Sequence, residues 1–250
     1  MLFTIITVTF NAAQWLERTL KSVLYQQCLN YNYLIIDGAS TDQTINIAQQ
    51  YQPAFNGRMH IVSEPDKGLY DAMNKAIQKA EGQYLWFINA GDEIYSNNTL
   101  TLLEQAATTK PDIIYGQAVT SNEKGESVGQ YHKTPPEQLT RQSLLNGLVV
   151  CHQAFLIKRS IATPYNLNYH IAADYDWVIQ AVEKAGHQVY VQQPLCRFLV
   201  NGLSQRNPIK AWKERFTIMK RHFGLCATLI AHLKIAFNYL IRKAQPLKRK

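Results

Sequence analysis

Carboxylates that stand where an apolar run stops are the side chains of this 250-residue sequence best suited to chemistry. The stretch Tyr84-Leu-Trp-Phe-Ile-Asn-Ala-Gly-Asp-Glu-Ile94 ends an unbroken apolar run in a glycine-containing turn that carries Asp92 and Glu93. Such a run reads as a buried strand delivering its carboxylates to the end of a sheet, where a carboxylate can face a metal-bound phosphate. Tyr33-Leu-Ile-Ile-Asp37 repeats the pattern and continues into Gly38-Ala-Ser-Thr-Asp42. A third pair, Asp174 and Asp176, lies in the first turn of the helix predicted to begin at Ala173, as the helix dipole prefers. Plainer readings stand beside these. Asp92 caps a helix near Asn98 or merely ends a strand, Asp42 and Asp174 are helix-start acids, and His152 is a satisfied structural histidine.

The elements that must position these residues follow from periodicity. Leu2 to Thr9 reads as a strand, and Leu16, Leu20, Val23 and Leu24 recur at helical spacing behind it. The second strand ends at Asp37, and Ser40 or Thr41 caps the next helix. Met59 to Ser63 gives a third strand, and the block Glu64 to Gly82 runs a turn into a helix that returns to the Tyr84 strand. Alternating strands and helices predict an α/β fold with a mostly parallel central sheet and helices on both faces. Past the strand at Pro111–Tyr115 the rhythm weakens. Val119 to Tyr131, centred on Asn122-Glu-Lys-Gly125, reads as a hairpin, Pro135-Pro136 opens a helix to about Leu145, and Gln153 to Lys158 is a strand. The first strand is followed by Asn11-Ala-Ala13 without glycine, which excludes the dinucleotide-binding fingerprint.

Charge divides the chain. The net formal charge is +8, yet from Gln205 onward there are 12 Lys/Arg and one acid, net +11, so residues 1–204 carry 14 bases and 17 acids, net −3. The expected organisation is one large domain over 1–204 and a basic amphipathic helical tail over 205–250. A basic patch confined to a tail argues for contact with an anionic surface and against a domain that tracks nucleic acid. Leu225 to Ile241 is interrupted by His232, Lys234 and Asn238 and sits at the short limit for crossing a bilayer, so an in-plane amphipathic helix is expected, the alternative being a helix packed on the protein's own body. Cys28, Cys151, Cys196 and Cys226 form no C-x-x-C pair, so neither a zinc site nor a disulfide framework is suggested and a reducing compartment fits. Met1 to Phe10 has no basic segment and no cleavage site, and reads as a strand instead of an export signal. Taken together, these readings point to a cytoplasmic protein peripherally attached to the inner face of the plasma membrane.

Over roughly residues 3 to 204 the motifs, in their order, resemble family 2 glycosyltransferases, the inverting class with the GT-A fold. The pieces are Ile6-Thr-Val-Thr-Phe-Asn11, Ile36-Asp-Gly-Ala-Ser-Thr-Asp42, Glu64-Pro-Asp-Lys-Gly-Leu-Tyr-Asp-Ala-Met-Asn74, Asn89-Ala-Gly-Asp92, His152-Gln-Ala-Phe155 and Ala173-Asp-Tyr-Asp176. The third is similar to the subgroup that makes bacterial surface polysaccharides. The resemblance implies nucleotide-sugar binding by Thr9, Asn11, Asp37, Ser40, Asp66, Asp71, Asn74, Ala90, Gly91 and Arg197, with Asp37 and Asp66 toward base and ribose. It implies a divalent cation, Mg²⁺ or Mn²⁺, on Asp92, although Asn89 and Gly91 replace the family's usual acids there. It makes Asp174 the general base, with Ala173 where the family usually has Glu, and sets His152 and Ser204 near the diphosphate or acceptor. The absence of Q-x-x-R-W points to addition of a single sugar, from a nucleotide-sugar donor, a UDP-sugar, to a lipid-linked or saccharide acceptor. Two rival classes use the same residues differently: a nucleotide-sugar-binding protein leaves Asp174 idle, and a basic-tail membrane or nucleic-acid adaptor needs no donor.

Overall fold

The computed structural model describes residues 1–200 and 207–244, with side chains described as far as residue 234. Nine described strands form one sheet: β1 (Phe3–Thr9), β2 (Tyr31–Asp37), β3 (Met59–Ser63), β4 (Tyr84–Phe87), β5 (Glu93–Ile94), β6 (Ile113–Ser121), β7 (Ser127–Gln130), β8 (Phe155–Lys158) and β9 (Gln188–Leu199). Their order is β3-β2-β1-β4-β8-β6-β9-β5, with β7 paired to β6. The described helices are α1 (Ala13–Leu24), α2 (Thr44–Tyr51), α3 (Leu69–Lys79), α4 (Thr99–Ala107), α5 (Arg141–Leu144), α6 (Ala173–Lys184), α7 (Pro208–Phe223) and α8 (Leu225–Ala244).

The α/β order is the one the sequence predicts, and the sheet is mixed. β3, β2, β1 and β4 run parallel, whereas β8 is antiparallel to both β4 and β6. The parallel block forms because each of its strands returns through a covering helix. β1, β2 and β4 are buried along their whole length, and alternate residues feed two cores. Ile6, Val8, Leu34, Ile36, Leu85 and Phe87 face α3 and α6. Phe3, Ile5, Tyr33, Ile35, Trp86 and Ile88 face α1, α2 and α4. The period of two along each strand is what separates the layers.

Several elements differ from expectation. The helix predicted from Pro135 shrinks to Arg141–Leu144, because Thr140 accepts a hydrogen bond from the Ser143 amide and begins it there in a capping box. The α2 cap is neither Ser40 nor Thr41. Asp42 accepts from the Thr44 amide at 2.9 Å and from the Ala13 amide at 3.1 Å, tying the starts of α1 and α2 together. β9, twelve residues long, has no counterpart in the sequence reading. It carries Gln192, Gln193 and Pro194 mid-strand, where its register against β6 shifts, so local alternation is lost. The tail breaks into two helices at Gly224 (φ 82°), and α7 docks on the body: Ile218 and Met219 join the core, and His222 Nε2 lies 2.7 Å from Asp176 Oδ1 on α6. The division at 204/205 itself falls within 201–206, outside the described residues.

The sheet order has a consequence for ligands. The chain leaves β1 to one side through β2 and β3 and returns to the other side at β4, so a crevice opens beyond the carboxyl ends of β1 and β4.

Candidate active site

At that crevice the backbone changes direction sharply. The chain leaving β1 turns at Asn11 (φ 47°), that leaving β2 turns at Ala39 (φ 61°), and the loop after β4 turns at Gly91 (φ 101°). At Gly91 an added Cβ would fall 2.7 Å from Leu199 Cδ2 as well as requiring a left-handed backbone, so glycine is needed on both counts. Thr19 of α1 clamps this loop. Its hydroxyl accepts from the Gly91 amide at 2.9 Å and donates to the Asp92 carbonyl at 2.7 Å.

The loop presents Asp92 to a cavity of about 420 Å³, which Thr9, Phe10, Asn89, Ala90, His152, Gln153 and Asp174 also line. That is ample for a small-molecule ligand. Asp92 is 4% exposed, and its Oδ1 accepts from the Leu199 amide at 2.9 Å. Burial pushes its carboxyl up to about 7, against the pull of the Leu199 and Gln153 hydrogen bonds and the Arg18 guanidinium. Two oxygens of residues that line the same cavity, Thr9 Oγ1 and Asn89 Oδ1, are buried with no hydrogen-bond partner among the described residues. Buried polar atoms usually find a partner, which water, an ion or a ligand can supply. Orphaned hard oxygens beside one carboxylate fit a divalent cation that takes its remaining positions from phosphate and water. No cluster of three or more His, Cys, Asp or Glu suited to a metal occurs among the described residues.

Asp174 stands on the second residue of α6 and lines the same cavity. Its Oδ1 accepts from the Tyr175 amide at 2.9 Å and from the Tyr70 hydroxyl at 3.4 Å. Burial raises its carboxyl, with the Tyr175 amide and Arg215 opposing, which strengthens it as a proton acceptor. Asp176 points elsewhere: it is fully buried, paired to His222 and accepting from Gln180 at 2.7 Å.

The remaining expected residues divide in two. Thr9, Ala90, Asp92, His152 and Asp174 converge on the cavity; Asn11, Asp37, Ser40, Asp66, Asp71, Asn74, Gly91 and Arg197 are not among its lining residues. Asp37 is buried and accepts from the Ser40 amide (2.9 Å), the Ser40 hydroxyl and the Ser63 hydroxyl (2.7 Å), so it shapes the loop after β2. In turn Ser40 accepts from the Asn11 amide at 2.8 Å, and Asn11 accepts from the Thr41 amide at 2.9 Å. Asp66 approaches this loop so closely that a Cβ on Gly38 would lie 2.4 Å from its Oδ2 and 3.3 Å from the Phe10 ring. Asp71 accepts from the Lys67 amide at the start of α3. Asn74 is spent on the Tyr165 backbone, at 2.7 and 3.0 Å. Arg197 lies on β9 with its guanidinium 4.9 Å over the Tyr95 ring. His152 bonds to the Tyr165 hydroxyl at 2.7 Å, and burial lowers it to about 4, so it lines the cavity as a neutral ring. Ser204 lies outside the described residues.

Other groups at the site carry little signal in the sequence. The exposed Phe10 ring lies between Thr9 and Asn11 and was legible only as a strand end. Tyr70, Lys133 and Arg215 come from three distant segments, and only folding brings them to the cavity.

Comparison with known proteins bears on the family and the fold. A sequence model described as Glycosyl transferase family 2 matches residues 4–163. The chain is 33% identical over 184 residues to a PGL/p-HBAD biosynthesis glycosyltransferase of Mycobacterium bovis, covering 72% of this chain and 69% of that protein. Its fold is similar to that of S. aureus TarS 1–349 solved in complex with UDP, with TM-score 0.71 and 18% identity over 89% of this chain, which spans 65% of the length of that one. It is also similar to a mannosyltransferase from Pyrobaculum calidifontis solved with GDP-Man and Mn²⁺, with TM-score 0.63 and 16% identity over 88% of this chain and 62% of that one.

Proposed function

The chain belongs to glycosyl transferase family 2, and we propose that it transfers a single sugar, with inversion, from a UDP-sugar to a lipid-linked or saccharide acceptor in surface polysaccharide biosynthesis. The observation that carries this reading is the convergence of Asp92, beside two orphaned buried oxygens, and Asp174, a buried carboxylate of raised pKa, on one cavity at the crevice beyond β1 and β4. The Glu64–Asn74 motif supports the polysaccharide setting, and the UDP in the related TarS structure supports the donor.

The chemistry follows from the two carboxylates. Asp174 accepts the proton of the acceptor hydroxyl as that oxygen attacks the anomeric carbon; the bond from that carbon to the diphosphate breaks, and the nucleoside diphosphate leaves with the electron pair. Asp92, with Asn89 beside it in the loop, would hold Mg²⁺ or Mn²⁺, which would supply positive charge to offset that of the departing diphosphate. The buried, neutral His152 walls the cavity and adds no cation there.

The tail supports attachment to the cytoplasmic face of the membrane. No described helix is long and apolar enough to cross a bilayer. Ile209, Trp212, Leu229, Ile230 and Leu233 are exposed on α7 and α8, among Lys210, Lys213, Lys220 and Arg221. An apolar surface rimmed by bases suits an anionic lipid interface.

Screening nucleotide sugars with Mg²⁺ or Mn²⁺, for binding and for slow donor hydrolysis, tests the reading. We expect metal-dependent binding and turnover, with Asp92→Asn weakening the first and nearly abolishing the second while folding stays intact. Binding without turnover would make the protein a nucleotide-sugar binder, and full activity in Asp92→Asn would move the metal elsewhere.

A further inference from the structure

The wall of the cavity beside Asp174 is cationic. Lys133, His132 and Arg215 line it together with Tyr131 and Leu148. Lys133 is held in place: its Nζ donates to the Leu148 carbonyl at 2.9 Å and to the Asn146 carbonyl at 3.4 Å. A lysine ammonium has three protons, so one remains unspent among the described residues. Arg215 comes from α7, next to Glu214, whose carboxylate accepts from the amides of His170, Ile171 and Ala172 at 3.0, 2.8 and 2.9 Å. That anchor fixes the helix carrying Arg215 against the loop that leads into Asp174.

Among the described residues neither Lys133 nor Arg215 forms an ion pair within 4.0 Å. Their charges are nonetheless felt by one another. Burial, and then Arg215, push the Lys133 ammonium down to about 8, and partial desolvation with Lys133 and Arg215 lowers His132. The same guanidinium acts on Asp174, whereas the cation that acts on Asp92 is Arg18, which donates to the Asn122 and Glu123 carbonyls. Glu214, which precedes Arg215, holds the amides that lead into Asp174, so the positive wall stands at the Asp174 end of the cavity.

Two cations crowded beside a single carboxylate leave room for one more negative charge. Resting on the transferase reading above, we infer that Lys133, His132 and Arg215 form an anion-binding subsite for the acceptor, which carries a phosphate, diphosphate or carboxylate group close to the hydroxyl that is glycosylated. The need is physical. An anionic acceptor approaching the Asp174 carboxylate is repelled, and cations on the same wall offset that repulsion. A guanidinium and an ammonium are also the side chains that bind oxyanions with charge-assisted hydrogen bonds.

Calorimetric titration of the full chain, with UDP and Mg²⁺ saturating so that the donor diphosphate site is filled, tests this. The probes are hexyl diphosphate, hexyl β-glucuronide and the neutral hexyl β-glucoside. We expect at least one anionic probe to bind at least tenfold more tightly than the glucoside, and Lys133→Gln and Arg215→Gln each to weaken it at least tenfold with UDP affinity within twofold of wild type. Which anionic probe wins distinguishes a phosphorylated acceptor from a uronate. Arg215 is exposed, so its variant keeps the fold even if Lys133→Gln melts early. Equal affinity for all three probes, or anionic affinity unchanged in Arg215→Gln, overturns the inference. Loss of UDP affinity with probe binding intact overturns it too, by assigning the cations to the donor. The transferase reading fails differently, by absence of nucleotide binding and donor turnover in the wild-type protein.

Discussion

Asp174 and Asp176 are two residues apart and have opposite fates, and that contrast is the sharpest test at the scale of single residues. The first faces the cavity; the second is buried against His222. Asp174→Asn should leave donor affinity nearly unchanged while transfer falls by about 10²–10⁴-fold, since the base is needed only as the acceptor proton leaves. Asp176→Asn should keep kcat within a few-fold and lower the urea midpoint, because the buried hydrogen bonds of its carboxyl to His222 and Gln180 are disturbed, at a cost of about 1–3 kcal/mol. A collapse of turnover in Asp176→Asn with normal turnover in Asp174→Asn would exchange the two roles. His152 gives a pH test. Its folded value of about 4 lies below the ordinary 6.5, so the unfolded chain binds the proton more readily between those values, and stability is full above pH 6.5 and lost as pH falls toward 4. From these two values the loss between pH 7.5 and pH 5 is about 2 kcal/mol, and denaturation of His152→Gln at the two pH values should show a correspondingly smaller drop. An equal drop in the variant would mean that another group carries the acid sensitivity.

Elements decide how firmly those residues are held. The loop entering α6 has no side-chain cap of its own; Glu214 on α7 supplies the acceptor for three successive amides ahead of it. A helix remote in sequence thus sets where α6 begins and where Asp174 sits. Glu214→Ala should lower the urea midpoint by the equivalent of about 1–2 kcal/mol and reduce kcat more than donor affinity, with Glu214→Gln, which retains an acceptor, recovering part of both. An unchanged kcat in a folded Glu214→Ala protein would show that the loop holds its own shape. The glycine of the β4 loop belongs to the same scale. Gly91 is demanded by its φ and by Leu199, so one of the two positions that depart from the family's acidic pattern, Asn89 being the other, is one where a side chain has no room.

The whole molecule has two surfaces of different character, a mildly acidic catalytic body and a net +11 tail segment from Gln205 onward. Deleting that segment is a poor test of membrane attachment, because Ile218 and Met219 belong to the core and Glu214 caps the site, so truncation removes structure as well as charge. Point changes on the exposed face separate the two. Trp212→Asp with Leu233→Asp should abolish co-sedimentation with anionic vesicles while the melting temperature holds, and raising salt should weaken wild-type binding by screening the lysines and arginines. Vesicle binding that survives both changes would leave this face without a lipid role.

The order of strands and helices from β1 to β4, and the carboxylates standing at the strand ends, were legible in the sequence, because hydrophobic period and turn chemistry are local properties of the chain. So were Asp92 and Asp174 as candidates, each marked by an apolar run or a helix start beside it. Tertiary structure alone decided the rest. β9 could not be read because Gln192, Gln193 and Pro194 interrupt its alternation, and its strand character comes from pairing with β6 and β5. Arg197 and Asn74, which the resemblance assigns to the donor, meet Tyr95 and the Tyr165 backbone in the folded chain. Lys133, Arg215 and Glu214 gave no sign of a shared site, since a charge on a helix or loop acquires its partner only when segments distant in sequence are packed together. Local periodicity specifies which elements form; which side chains meet between them is fixed by the three-dimensional packing of the sheet and the helices that cover it.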